Sequence, residues 1–225
     1  MAVMTLAELR QACRERADME NNSFISDDEL IRYINSSITE LMDILISKDS
    51  AHYFLTSLDI NTQTGVGDYN LPADFYKMCG VDLYRSPDSP MALRPLMWHE
   101  RNYNRYPGPR MPYDIRYVMI GDIIRFVPIP TGVYRITLHY IPQTVLLAED
   151  DDSFNGYNGW EEYVIVRASI MMRSKEESDT SDLKQELAFL KERIEIMADN
   201  RDMGEVSVIT DVNPIYNREI YNVWP

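Results

Sequence analysis

The sequence predicts an α+β fold: a four-helix assembly made from an N-terminal and a C-terminal helix pair, an antiparallel β-sheet or small sandwich inserted between them, and an extended C-terminal tail. Two observations carry this reading. Apolar residues recur at three- and four-residue spacings behind helix-start signals at both ends of the chain, and the middle of the chain alternates with period two between turn signals. A third consideration joins the ends. Neither helix pair can bury its apolar stripe alone, so the two are expected to pack together with the β-rich segment as an insertion. The units expected are 1–50, a helix pair; 51–148, the β-rich insertion; 149–203, the second helix pair; and 204–225, the tail.

Thr5 opens the first helix, with Glu8 three residues on to complete a capping box, and Leu6, Leu9, Cys13 and Ala17 share one face. Ser26 and Glu29 form a second capping box, behind which Leu30, Ile34, Ile38, Leu41 and Leu45 continue the stripe to about Lys48. Strands are then expected near Tyr53 to Thr62, Lys77 to Arg85, Met91 to Leu96, Tyr113 to Ile120, Ile123 to Val127 and Val133 to Ile141. In the last of these Tyr134, Ile136, Leu138 and Tyr140 face one way, and Arg135, Thr137 and His139 the other. Gly121 and Asp122 suit a two-residue hairpin of type II′, because glycine accepts a positive φ.

From Trp160 to about Glu177 the chain is β-branched, yet too long without interruption for a strand, so a helix is expected with Asn158 as N-cap and Glu161 at its third position. Asp179 starts a final helix with Leu183, Leu187, Leu190, Ile194 and Met197 on one face, antiparallel to the third.

Composition excludes some functions. A net charge of −14, from 36 acidic and 22 basic side chains, repels phosphate backbones unless basic residues cluster locally. No apolar run approaches the ~20 residues that span a bilayer, and the first residues carry no pattern of a secretion signal, so neither a membrane nor export is expected. Cys13 and Cys79 have no Cys or His at metal-ligand spacing and read as reduced thiols.

Histidine is sparse and never at HxxxH spacing, and no nucleophile elbow, phosphate loop or dinucleotide fingerprint occurs. His139 falls on the outward face of its strand. One stretch, "DDSFNGYNGWEE", places Asp151, Ser153, Asn155, Gly156 and Glu162 at calcium-loop positions, although Asn158 stands where an apolar residue is usual and no helix enters the loop. The same residues also read as a turn and helix caps. No metal and no cofactor is expected.

The segment "ERNYNRYPGPRMPYDIRY" runs against the overall charge. It interleaves Arg101, Arg105, Arg110 and Arg116 with Tyr103, Tyr106, Tyr113 and Tyr117 around a proline- and glycine-bearing turn, which suggests a projecting loop. Arginine and tyrosine suit single strands of nucleic acid, and they suit protein interfaces; in so acidic a chain the interface is preferred. The ending "YNREIYNVWP" gathers Tyr216, Ile220, Tyr221, Val223 and Trp224, and raises the question of what is expected to cover them. Those residues either anchor the tail on a neighbouring molecule or fold back over the chain's own helices.

The stretches "MTLAELRQACRERADMENNSFISDDELIRYINSSITELMDIL", "YNLPADFYKMCGVDL", "NGWEEYVIVRASIMMRSKEESD" and "ERIEIMADNRDMGE" together resemble the head-to-tail adaptor family of tailed bacteriophages, which are similar to the tail accessory factors beneath a portal ring. The likeness runs to about Val212. It implies a non-enzymatic component of the virion neck, assembled in the host cytoplasm as a ring, a dodecamer, bound to a portal protein above and to downstream tail or nozzle proteins below. Genomic DNA would pass through the ring without sequence-specific binding. On this reading Arg101, Tyr103, Arg105, Tyr106 and Arg110, with Tyr216, Ile220, Tyr221, Val223 and Trp224, are the expected interface residues. Two other readings stay open: a tail-associated β-sandwich that holds a ligand or glycan against tyrosine rings, and a single-stranded nucleic-acid binder.

Overall fold

A computed structural model of the chain describes residues 3–20, 24–47, 54–86, 88–100, 115–156 and 159–199. Four helices and two principal antiparallel sheets make up the fold, in agreement with the expected α+β class. In chain order the elements are β1 (Met4–Thr5), α1 (Leu6–Ala17), α2 (Asp27–Ser47), β2 (Thr56–Asn61), β3 (Asp68–Asn70), β4 (Phe75–Tyr84), β5 (Pro90–Ala92), β6 (Arg116–Ile120), β7 (Ile123–Val127), β8 (Arg135–Pro142), β9 (Ser153–Phe154), α3 (Glu161–Lys175) and α4 (Ser181–Asp199).

The helices assemble around α3. Its run of Tyr163, Val164, Ile165, Val166, Ala168, Ser169, Ile170 and Met172 is buried on every side, and α1, α2 and α4 all pack on it. A helix that is apolar all round has no solvent face to offer, so it must be enclosed. The stripe of α1 (Leu6, Leu9, Cys13) and that of α2 (Leu30, Ile34, Ile38, Leu41, Leu45) meet it in one cluster, joined by Ile194 and Ala198 of α4. Small side chains let α1 come close: Ser169 Oγ donates to the Cys13 carbonyl at 3.2 Å. Each such fully buried aliphatic side chain contributes about 1.5–3 kcal/mol.

The start of α1 is as the spacing predicts. The Glu8 amide donates to Thr5 Oγ1, and the Thr5 amide donates to Glu8 Oε2 at 2.8 Å. The second box is half made. The Glu29 amide donates to Ser26 Oγ, but the Glu29 carboxylate is taken by Lys175 Nζ at 2.6 Å and Tyr33 Oη at 2.7 Å, because α3 delivers a cation beside it.

The sheets run in the orders β2-β8-β4-β5 and β3-β7-β6. They close on a second apolar cluster, with Val81, Leu83, Ile136, Leu138 and Tyr140 from the first sheet facing Ile124 and Phe126 from the second. Gly121 has φ +58° while Asp122 does not enter the positive-φ region, the pattern of a II′ turn between β6 and β7.

Several boundaries differ from expectation for identifiable reasons. β1, β3 and β9 are too short for alternation to reveal. β1 and β9 pair with each other, Met4 with Phe154 and Thr5 with Ser153, and so pin the start of α1 to the approach of α3. The expected strand from Met91 to Leu96 is Pro90–Ala92 followed by a crossing to the other sheet, where the Leu96 amide donates to the Tyr117 carbonyl at 2.7 Å. Asn158 lies outside the described residues. The N-cap of α3 is Trp160, and Glu161 is the first helical residue instead of the third, since its carboxylate turns back to accept the Gly156 amide at 3.0 Å. α4 begins at Ser181, whose amide and hydroxyl donate to Asp179. Met197 is 49% exposed and Ala198 takes its expected place, because four residues from Ile194, not three, returns to the seam.

Gly156 is required by contact. A Cβ there would lie 2.5 Å from the Glu161 amide nitrogen and from its carboxyl carbon. Gly156→Ala is expected to lower stability by about 1–3 kcal/mol, read as a lower urea midpoint. Gly80→Ala, where the added Cβ meets nothing within 4 Å, should leave the midpoint nearly unchanged. Equal midpoints for the two variants would refute this account.

Candidate functional site

The arginine- and tyrosine-rich segment springs from a clamped base. Residues 94–96 run beside β6: the Tyr117 amide donates to the Arg94 carbonyl at 3.3 Å, and Pro95 forms a parallel bridge to Tyr117. One turn further, the 3₁₀ segment Trp98–Glu100 turns Glu100 to accept from Arg116 Nη1 at 2.8 Å. These contacts hold Glu100 and Arg116, near the two ends of the segment, against each other. Ile115 and Tyr117 pack onto the sandwich core, so the base is anchored on its inner side. Its outer side is apolar and wet, with Met97 62% and Trp98 65% exposed. Exposed Met and Trp beside an arginine-rich segment are the side chains that protein interfaces favour.

Met97 and Trp98 were not anticipated. The signal was present in "LMWHE", two large apolar side chains in a polar turn that no period explains. The loop residues expected to form the interface, Arg101, Tyr103, Arg105, Tyr106 and Arg110, lie outside the described residues, as do Tyr216, Ile220, Tyr221, Val223 and Trp224.

Other polar groups are engaged with one another. Glu40 on α2 accepts from Tyr163 Oη at 2.8 Å and from Arg167 Nε at 2.7 Å, tying α2 to α3. Burial pushes the Glu40 carboxyl up, but the hydrogen bonds from Arg167 and Tyr163 and the guanidinium charge outweigh it, and the net shift is below the usual carboxylate range. For Tyr163, burial first and then the bond to Glu40 push the phenol well above its ordinary range. His139, expected on an outward face, is half-buried with Nε2 3.1 Å from Asp82 Oδ2 across the β8–β4 ladder. Thr137, on the same face, is buried and donates to Asp59 at 2.5 Å. Beside a shallow groove at one end of the sandwich, Arg125 meets Asp68 with two bonds, of 2.6 and 2.8 Å.

Of the stretch with calcium-loop spacing, residues 157–158 lie outside the described residues, and the others are engaged as follows. Ser153 lies in β9, Asp152 accepts the Ala148 and Glu149 amides at 2.7 and 2.9 Å, and Glu162 faces Arg16 of α1. Among the described residues no group of three or more His, Cys, Asp or Glu is placed to hold a metal, and no helix is long and apolar enough to cross a membrane.

The described residues thus form a helical layer that encloses one of its own helices and a sandwich that presents a clamped loop base with exposed tryptophan. The sequence model of the family described as SU10 adaptor protein matches residues 4–211, and the chain belongs to that family, a family of phage adaptor proteins with a structural role in the virion. No curated relative matches it.

Two outcomes test the packing of the helical layer that carries the sandwich. Burial, with the Glu162 charge adding to it, pushes the Cys13 thiol up to about 12, whereas Cys79 is exposed. An aromatic disulfide reagent should therefore titrate one thiol in the native protein and both in urea, and Cys79→Ser should abolish the native reaction. Because the Glu40 carboxyl is depressed in the fold, its contribution is present above the unfolded value of about 4.3 and is lost as pH falls through the folded value. The stability gap between wild type and Glu40→Gln should hold steady above about pH 5 and shrink on acidification; a gap that widens in acid would contradict the assignment.

Proposed function

We propose that the chain is a non-enzymatic adaptor of the phage neck. Copies close into a ring, a dodecamer, between a portal protein and downstream tail or nozzle proteins, and genomic DNA passes through its centre. The observation that carries this reading is membership of the adaptor family over residues 4–211. The chemistry is consistent with it. A surplus of 14 negative charges gives DNA little to adhere to, as a conduit requires. The clamped base of the arginine and tyrosine segment, with Met97 and Trp98 beside it, supplies contact area suited to a protein partner. In this arrangement the helix pairs 1–50 and 149–203 form one structural unit, the insertion 51–148 a second, and residues 204–225 an arm whose Tyr216, Ile220, Tyr221, Val223 and Trp224 grip the portal or a neighbouring copy. Assembly takes place in the host cytoplasm and the finished position is in the virion.

Electron microscopy of the purified chain mixed with portal rings from the same phage should show a second ring with a central hole stacked on the portal. Removing residues 213–225 should leave the folded chain intact and weaken its attachment at least tenfold in a pull-down, the effect of losing buried aromatic anchors. Dispersed single chains in the micrographs, or full attachment of the shortened protein, would count against the respective part of the proposal.

A further inference from the structure

The two sandwich sheets have four edges, and three of them are short or already bonded. β3 and β5 are three residues long, and β5 begins with Pro90. β6 is bonded along its outer side by residues 94–96. β2 is the exception, with six residues, no proline and no lysine. It pairs with β8 on one side, and no strand of the described residues pairs with it on the other.

The phase of the ladder shows what this edge offers. The Thr62 amide donates to the Tyr134 carbonyl at 2.9 Å, so by alternation Thr56, Leu58 and Ile60 aim their backbone groups at β8, while Ser57, Asp59 and Asn61 aim theirs outward. Within the described residues these outward groups meet no backbone partner. The side chains tell the same story. Leu58 lies opposite Leu138, which is fully buried, yet Leu58 itself is 39% exposed, so the core is uncovered along this margin. Asp59, the one charge on the strand, is drawn toward β8 by the Arg135 guanidinium at 3.4 Å and by the Thr137 hydroxyl, and so leans away from the open edge.

The chain carries a segment with the complementary pattern. Residues 205–212, "EVSVITDV", lie between Gly204 and the pair Asn213–Pro214. Val206, Val208, Thr210 and Val212 fall on one face at period two, and Glu205, Ser207, Ile209 and Asp211 on the other. Laid beside β2, the first set covers Leu58 and Ile60, and the second falls on the polar face with Ser57, Asp59 and Asn61. α4 is antiparallel to α3 and α3 to α2, as Arg173 to Asp182 and Lys175 to Glu29 show, so the chain leaves α4 at the end of the bundle where α2 enters the sandwich.

We infer that the β2 edge is a docking site for an extended strand, and that its occupant is residues 205–212 of a second copy of this chain, added as a fifth strand to the sheet. The inference rests on the ring reading of the preceding subsection and names one contact that closes the ring: each copy gives a strand to one neighbour and receives one from the other, a heterologous interface of the kind that generates rings.

Hydrogen exchange of the 54–62 region, followed in the full chain alone and assembled on its portal, tests the inference. In the dilute single chain the Ser57, Asp59 and Asn61 amides should exchange rapidly, and in the assembly at least about tenfold more slowly. Val208→Pro and Ile209→Pro, made separately, put the missing amide on opposite sides of the added strand, so one of the two should abolish that protection. A synthetic peptide of residues 204–214 should restore it when added to that variant. Rings that form with these amides as fast as in the single chain would overturn the inference and leave the adaptor reading standing. Slow exchange already present in the dilute single chain and lost in the proline variant would assign the edge to the chain's own segment. Absence of any ring would overturn both readings together.

Discussion

Enclosure of α3 is the constraint on which the rest of the structure depends. Val164, Ile165, Val166, Ala168 and Ile170 leave this helix no polar side, so the fold must surround it with three other helices taken from both ends of the chain. Once that is required, the β-rich middle can only be an excursion that leaves after α2 and returns before α3. The few polar groups inside the helical layer are placed by the same demand. Ser169 satisfies its hydroxyl on the Ile165 and Cys13 carbonyls, and the half-exposed Glu40 gathers Tyr163 and Arg167 so that no charge is stranded against the core.

The excursion is fastened at its return. Asn35, midway along α2, accepts the Leu147 amide and donates to the Leu147 carbonyl, both at 2.9 Å, so one side chain satisfies both backbone groups of this residue in the returning segment. Leu147 is thereby seated in the helical core while its neighbours Val145 and Leu146 stay exposed. On the outgoing side Tyr76 Oη donates to Asp43 at 2.7 Å. Together with the β1–β9 pair, these contacts give the sandwich a defined seat on the helices.

How much of this was legible in the sequence depended on the length of the pattern. The capping box at Thr5 has a fixed spacing and the stripe of α2 runs over several periods, and both appear where the spacing puts them; β8 forms where its alternation predicts, but its polar face is covered at Thr137 and half-covered at His139. β1, β3 and β9 offer two or three residues apiece, and their pairing is set by tertiary position alone. The cap of α3 was misplaced because Glu161 answers to Gly156 across a tight turn, a contact invisible to a rule about spacing. Of the candidate site, the base is defined from Leu96 to Glu100 and from Ile115 to Tyr117, while Arg101, Tyr103, Arg105, Tyr106, Arg110 and Tyr113 fall outside the described residues.

The pairing of Met4 with Phe154 also sets an order in time. About 110 residues separate the end of α2 from the start of α3, so at ordinary rates of translation the first two helices wait on the order of ten seconds for the helix they must embrace. During that interval the sandwich can form on its own contacts, and the stripe from Leu30 to Leu45 remains open to any apolar surface nearby. Chaperone capture of nascent chains would therefore fall on α1 and α2, although in the finished molecule their apolar stripes are among the most deeply covered side chains.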